Sequence, residues 1–185
     1  MAWKNDQVSE RETAKILELA RTCLKMEGDF VELGCYKGDT SLLLAEVLKD
    51  SDKKLWIYDS FEGLPEKTES DESALGVDFK KGELVITKRE VKQRFLKANL
   101  PVPVIKKAWF SDLKTEDLPE EIAFAFLDGD FYESIKDSLK LVIPKMVEDG
   151  ALVIHDYSNP ALPGVKKAVD EFVTSKSLKF MIVLL

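Results

Sequence analysis

Apolar residues recur in the first stretch of the chain at three- and four-residue steps. Ala14, Ile16, Leu17, Leu19, Ala20 and Leu24 fall at the spacing of one helix face. Ser9 stands where an N-cap would, and Gly28 closes the stretch, so a helix is predicted within 8–26. Beyond it the period changes. Short apolar runs at 29–33, 55–58, 122–127 and 151–154 read as strands bounded by Gly, Pro or acidic residues. Ile122-Ala123-Phe124-Ala125-Phe126-Leu127 is apolar throughout, which suits a strand covered on both faces of a parallel sheet. Helical spacing returns at 38–48, at 87–98 with Val91, Phe95 and Leu96 inward, and at 132–146 with Ile135, Leu139 and Val142 on one face. A last helix is predicted at 164–173, and shorter strands at 102–106 and 180–185. Strands alternating with helices predict one α/β domain over 1–185, a sandwich around a mostly parallel sheet. The polar stretch after Pro65, to about Gly82, is expected to be a loop over a site, partly mobile without ligand.

Composition narrows the function classes. A chain of 185 residues with 45% hydrophobic and 33% charged residues fits one globular domain with a sizeable core. A formal net charge of −7 argues against a general nucleic-acid or anionic-membrane binder. Cys23 and Cys35 are too few for a disulfide framework, so a reducing cytoplasm is expected, with Cys35 a small space-filler. Nothing resembles a signal peptide, and no apolar run approaches the ~20 residues of a membrane span.

The chemistry gathers at the predicted strand ends, where open α/β sheets bind ligands. Strand one runs into Glu32-Leu33-Gly34, strand two meets Asp59, and two later strands end at Asp128-Gly129-Asp130 and His155-Asp156. Four strand ends with acidic residues around one Gly turn point to a site. The turn Gly34-Cys35-Tyr36-Lys37-Gly38 lacks the middle glycine of GxGxxG and is not a P-loop. Glu32 would repel a phosphate and suit a cationic ligand end, while Asp59 is placed to accept from ribose hydroxyls. A phosphate-free adenosyl ligand with a positive centre fits both: S-adenosylmethionine.

Several segments carry a resemblance. Glu32-Leu33-Gly34-Cys35-Tyr36-Lys37-Gly38, Tyr58-Asp59-Ser60-Phe61-Glu62-Gly63-Leu64-Pro65, Trp109-Phe110-Ser111-Asp112, Leu127-Asp128-Gly129-Asp130-Phe131-Tyr132-Glu133-Ser134 and His155-Asp156-Tyr157 resemble the macrocin O-methyltransferase (TylF-like) family, in order over most of the chain. Pro163-Gly164-Val165-Lys166-Lys167-Ala168-Val169-Asp170 resembles its helix start. The resemblance implies a Rossmann-like class I methyltransferase sandwich. It also implies S-adenosylmethionine-dependent methylation of a small-molecule hydroxyl, often on a sugar of a natural product, with a divalent metal.

Carried over by position, Glu32, Gly34, Tyr36 and Gly38 line the methionine part of the cofactor. Asp59 holds the ribose, Ser60 and Phe61 flank the adenosine, and Trp109, Phe110 and Ser111 lie near the adenine. Asp128 matches a metal ligand and base, and His155-Asp156 an acidic pair. His155, the only histidine, is the departure. An imidazole suits a transition metal better than Mg²⁺, or His155 acts as the base, or no metal binds. The chain carries one strand, 180–185, where such folds end in an antiparallel hairpin, so the hairpin reads as shortened: either the sequence is cut there, or the sheet is shorter and a homodimer covers its edge. Two other readings stay open: a non-catalytic adenosyl-ligand binder, and a nucleotide-sugar or nicotinamide enzyme on the same frame.

Overall fold

The computed structural model describes residues 7–76, 79–173 and 178–185. Six strands form one sheet in the order β3-β2-β1-β4-β5-β6. They are β1 (Asp29–Leu33), β2 (Leu55–Asp59), β3 (Val104–Lys107), β4 (Ile122–Leu127), β5 (Met146–Ile154) and β6 (Met181–Leu184). All five pairings are parallel. The chain begins mid-sheet, moves outward to β3, then returns to β4 on the other side of β1. That reversal opens a crevice beyond the C-terminal ends of β1 and β4.

Five helices cover the sheet: α1 (Glu10–Cys23), α2 (Asp39–Leu48), α3 (Lys88–Ala98), α4 (Tyr132–Val142) and α5 (Pro163–Val173). One core packs α1, α2 and α3 on Phe30, Ile57, Phe124 and Val153. The other packs α4 and α5 on Val31, Tyr58, Ala125 and Leu152. Alternate strand residues thus feed opposite cores, and every residue of β4 is buried. Ser9 caps α1 in a capping box with Glu12, as its position predicted.

The structure departs from the sequence expectations in places. Leu96 is 60% exposed, whereas Val91 and Phe95 are buried; position 96 lies about 100° round the helix from 95. α4 stops at Val142 because Pro144 ends the regular helix in a short 3₁₀ turn. β5 therefore begins at Met146, pairing with Ile122 before a register shift. The pairing of β6 is no departure: it lies parallel to β5, in keeping with a mostly parallel sheet.

Hydrogen bonds tie the polar stretch together at its base. The Leu64 amide donates to the Glu83 carbonyl at 2.8 Å and the Gly82 amide to the Leu64 carbonyl at 2.9 Å. Between them Glu69–Asp71 forms a 3₁₀ turn with Asp71 buried. Mobility at 77–78 lies outside the described residues.

Candidate active site

The site starts where β1 ends. Gly34 has φ 89°, and its amide donates to the Tyr58 carbonyl at 2.9 Å. A Cβ there would lie 1.9 Å from the Asp128 carbonyl oxygen, so only glycine fits against β4. The Asp128 amide in turn donates to the Leu33 carbonyl at 2.9 Å. The turn and the Asp128 strand end are therefore one packed unit. Tyr36 also has positive φ, and Gly38 caps α2 from the left-handed region.

Asp59 braces this turn from β2. One carboxylate oxygen accepts from the amides of Cys35 at 2.9 Å and Tyr36 at 3.3 Å; the other accepts from Phe61 at 2.7 Å. Glu32 sits beneath the turn, 1% exposed, accepting from the Ser41 hydroxyl. Burial pushes its carboxyl up to about 8, beyond what the Ser41 bond lowers, with Asp128, Asp59 and Asp39 adding to the rise.

Asp128, His155 and Asp156 meet at the ends of β4 and β5. The His155 ring is 7% exposed, and its Nδ1 lies 3.0 Å from an oxygen of Asp128 and 3.0 Å from one of Asp156. Burial alone would lower the imidazole pKa, but its bonds to Asp128 and Asp156 raise it to about 11. At neutral pH the ring is a cation between two carboxylates. That argues against His155 as a general base, because its lone pair already holds a proton. Burial also works against ionisation of Asp156, but His155 and then Asn159 keep its carboxyl below the usual range.

These elements wall one cleft. Of the residues singled out in the sequence, Gly34, Tyr36, Asp59 and Ser60 line one side, Trp109 and Phe110 another, and Asp128, His155 and Asp156 the floor. Glu32, Gly38, Phe61 and Ser111 are not on its wall. Phe61 is buried in the α1–α3 core, and Ser111 faces outward.

Sequence reasoning missed other wall residues. Pro65, Phe79 and Leu84 come from the polar stretch, and Gln7 from ahead of α1. Asp130, which the sequence placed at its strand end without a role, also lines the cleft, with φ 60°. Burial, then Asp128 and Asp156, hold its carboxyl well above the usual range. An aspartate directly after glycine at a strand end was the available signal, since Asp tolerates left-handed backbone.

The sequence profile of the macrocin-O-methyltransferase family (TylF) matches residues 12–183. The chain belongs to that family. Among similar proteins, demethyldecarbamoylnovobiocin O-methyltransferase of Streptomyces niveus is 28% identical over 172 residues, covering 85% of this chain and 65% of that protein. The 8-demethyl-8-(2,3-dimethoxy-alpha-L-rhamnosyl)-tetracenomycin-C 4'-O-methyltransferase of Streptomyces olivaceus is 30% identical over 154 residues, covering 78% of this chain and 58% of its own length. The chain thus spans under two thirds of these relatives. The solved O-methyltransferase NovP superposes with a TM-score of 0.73 at 29% identity, over 85% of this chain and 70% of NovP. An O-methyltransferase from Bacillus cereus, solved with SAH, shares the fold at a TM-score of 0.64 and 13% identity, over 94% of this chain and 73% of its own. The α/β sandwich of the TylF family is therefore the fold of this chain.

Proposed function

We propose that this chain is an S-adenosylmethionine-dependent O-methyltransferase acting on a hydroxyl of a small, sugar-bearing acceptor. The charge of the cleft wall carries the reading. Asp59, Asp128, Asp130 and Asp156 line it with His155, and no Lys or Arg does among the described residues. A diphosphate cofactor such as a nicotinamide dinucleotide would meet the carboxylates of Asp59, Asp128 and Asp156 with only His155 as a counter-charge, and that ring is already shared between Asp128 and Asp156. A sulfonium ligand suits the same wall. The names of the relatives, each an O-methyltransferase and one of them acting on a rhamnosyl-bearing compound, support the acceptor class.

S-adenosylmethionine, when bound, supplies a sulfonium-activated methyl group that passes to the acceptor oxygen. The residues of the chain then have three tasks. Asp59 fixes the turn whose backbone borders the cofactor, and Trp109 and Phe110 offer apolar faces for an adenine. Asp128, half-buried beside the floor, takes the proton that the acceptor hydroxyl loses as its oxygen bonds to the methyl carbon. His155 holds that carboxylate in place and balances its charge, acting through Asp128.

A divalent metal also fits this floor. Asp128, His155 and Asp156 each offer a ligand atom, all within 4.8 Å of one another, and the His155 ring would ligate only after giving up a proton, so a metal would compete with the ion pair. Two carboxylates and an imidazole would hold a transition metal more readily than Mg²⁺. When bound there, it would supply Lewis-acid acidification of the acceptor hydroxyl. Two buried free cysteines support a reducing compartment, the cytoplasm.

Isothermal calorimetry with S-adenosylhomocysteine tests the reading. Binding in the micromolar range is expected, with none for NADH. NADH binding without S-adenosylhomocysteine binding would overturn it.

A further inference from the structure

One buried carboxylate in the polar stretch has no part in the chemistry above. Asp71 is 2% exposed, in a run of charged and polar residues that a solvated loop would leave in water. One of its oxygens accepts from the Tyr132 amide at 2.7 Å, at the first residue of α4. The other accepts from the Thr68 amide at 2.9 Å and the Thr68 hydroxyl at 2.8 Å. The seat is shaped on its far side too. A Cβ on Gly164, near the start of α5, would lie 1.9 Å from the same Asp71 oxygen that serves Tyr132. Ser73 adds a bond to the Pro160 carbonyl at 2.9 Å, and Lys167 one to the Ser70 hydroxyl at 2.9 Å.

We infer that Asp71 is a positioning residue: it fixes the apolar wall of the cleft against the acid-bearing turn. The wall side is Pro65, Phe79 and Leu84, of which Phe79 and Leu84 pack in one apolar cluster with Ala108 and Phe110. The acid side is Asp128-Gly129-Asp130, which leads straight into α4 through Phe131. The Leu64–Glu83 bonds close the base of the polar stretch, and Asp71 ties the stretch between those bonds to the helix that follows the acids. Asp71 is thus the buried link between the adenosyl-facing wall and the helix that follows the reacting end, beside the exposed Ser73–Pro160 and Lys167–Ser70 bonds. A charged acceptor on the helix-initiating amide is a strong and directional link, because the N-terminal N–H groups carry partial positive charge.

This inference rests on the adenosyl reading of the cleft, and the test separates the two. Asp71→Ala and Asp71→Asn are compared with the unaltered chain by S-adenosylhomocysteine calorimetry and by amide hydrogen exchange, below the melting temperature of each variant. Asp71→Ala is expected to weaken S-adenosylhomocysteine at least tenfold and to speed exchange at 79–84 and at the Tyr132 amide. Asp71→Asn, which keeps an oxygen for Tyr132, is expected to recover most of both. If Asp71→Ala does not fold, Thr68→Val removes the hydroxyl that donates to Asp71 and accepts from the Ser70 amide, and is expected to move both readouts the same way by a smaller factor. Affinity within twofold and unchanged exchange at 79–84 would overturn the inference, as would an Asp71→Asn variant no better than Asp71→Ala. Failure of the unaltered chain to bind S-adenosylhomocysteine would sink the adenosyl reading alone, and the exchange data would then decide the role of Asp71.

Discussion

Nδ1 of His155 lies 3.0 Å from a carboxylate oxygen of Asp128, so a ring that would be mostly neutral in water is a cation in the folded chain. Its stabilising contribution is full below the ordinary value of 6.5 and is lost as pH rises through about 11. Urea unfolding between pH 7 and pH 10.5 should therefore show declining stability. His155→Gln should have a flatter profile over that range. Parallel profiles would mean that the ring is not protonated in the fold.

Glu32 has the same sign for a different reason. Its carboxyl is raised from 4.5 to about 8 by burial, so stability is full below 4.5 and falls as pH rises through about 8. Glu32→Gln keeps an oxygen for the Ser41 hydroxyl and removes the titration. The variant should be more stable than the unaltered chain at pH 8.5 by about 1–2 kcal/mol and gain much less at pH 4.5. Denaturant midpoints at both values check this.

Gly34 and Gly82 separate crowding from backbone conformation. Both have positive φ, but a Cβ at Gly34 meets Asp128 backbone at 1.9 Å while one at Gly82 meets nothing within 4 Å. Gly82→Ala should cost roughly 1 kcal/mol, from the left-handed backbone alone. Gly34→Ala should cost more than about 3 kcal/mol, because a strand end must shift. Thermal unfolding of the two variants measures the difference.

Asp59→Ala removes the acceptor for three backbone amides of the turn and its neighbour. The expected result is a loss of about 1–3 kcal/mol in stability and at least a tenfold weaker S-adenosylhomocysteine complex. If Asp59 served the ligand alone, affinity would fall while the melting temperature held.

Asp128→Asn should leave S-adenosylhomocysteine affinity within a few-fold and cut methyl transfer by roughly 10²–10⁴, the range for loss of a proton acceptor. A titration with EDTA in the same assay reads the metal. Turnover that survives excess chelator would leave proton removal to the carboxylate.

The sheet was readable because parallel strands in a two-sided core leave an apolar run such as 122–127, and because the runs 29–33, 55–58 and 122–127 stop at Gly34, Asp59 and Asp128. The same logic brought out Asp59, Asp128, His155 and Asp156, since strand ends in this architecture converge on one crevice. Pairings that depend on depth were not readable. Glu32 carries no mark in the sequence that it lies beneath the turn and not on the cleft wall. Asp71 is one acid among many in its stretch, and only the fold brings Tyr132 and Gly164 to it. The start of β5 was hidden for a similar reason: Glu148 and Asp149 look like a turn, although the strand runs through them.

The missing side chain at Gly34 has a consequence for redesign. Because the backbone of that residue rests on the backbone of Asp128, a swap that repositions either segment displaces its neighbour. A library aimed at a new acceptor through β4 would alter donor affinity unasked.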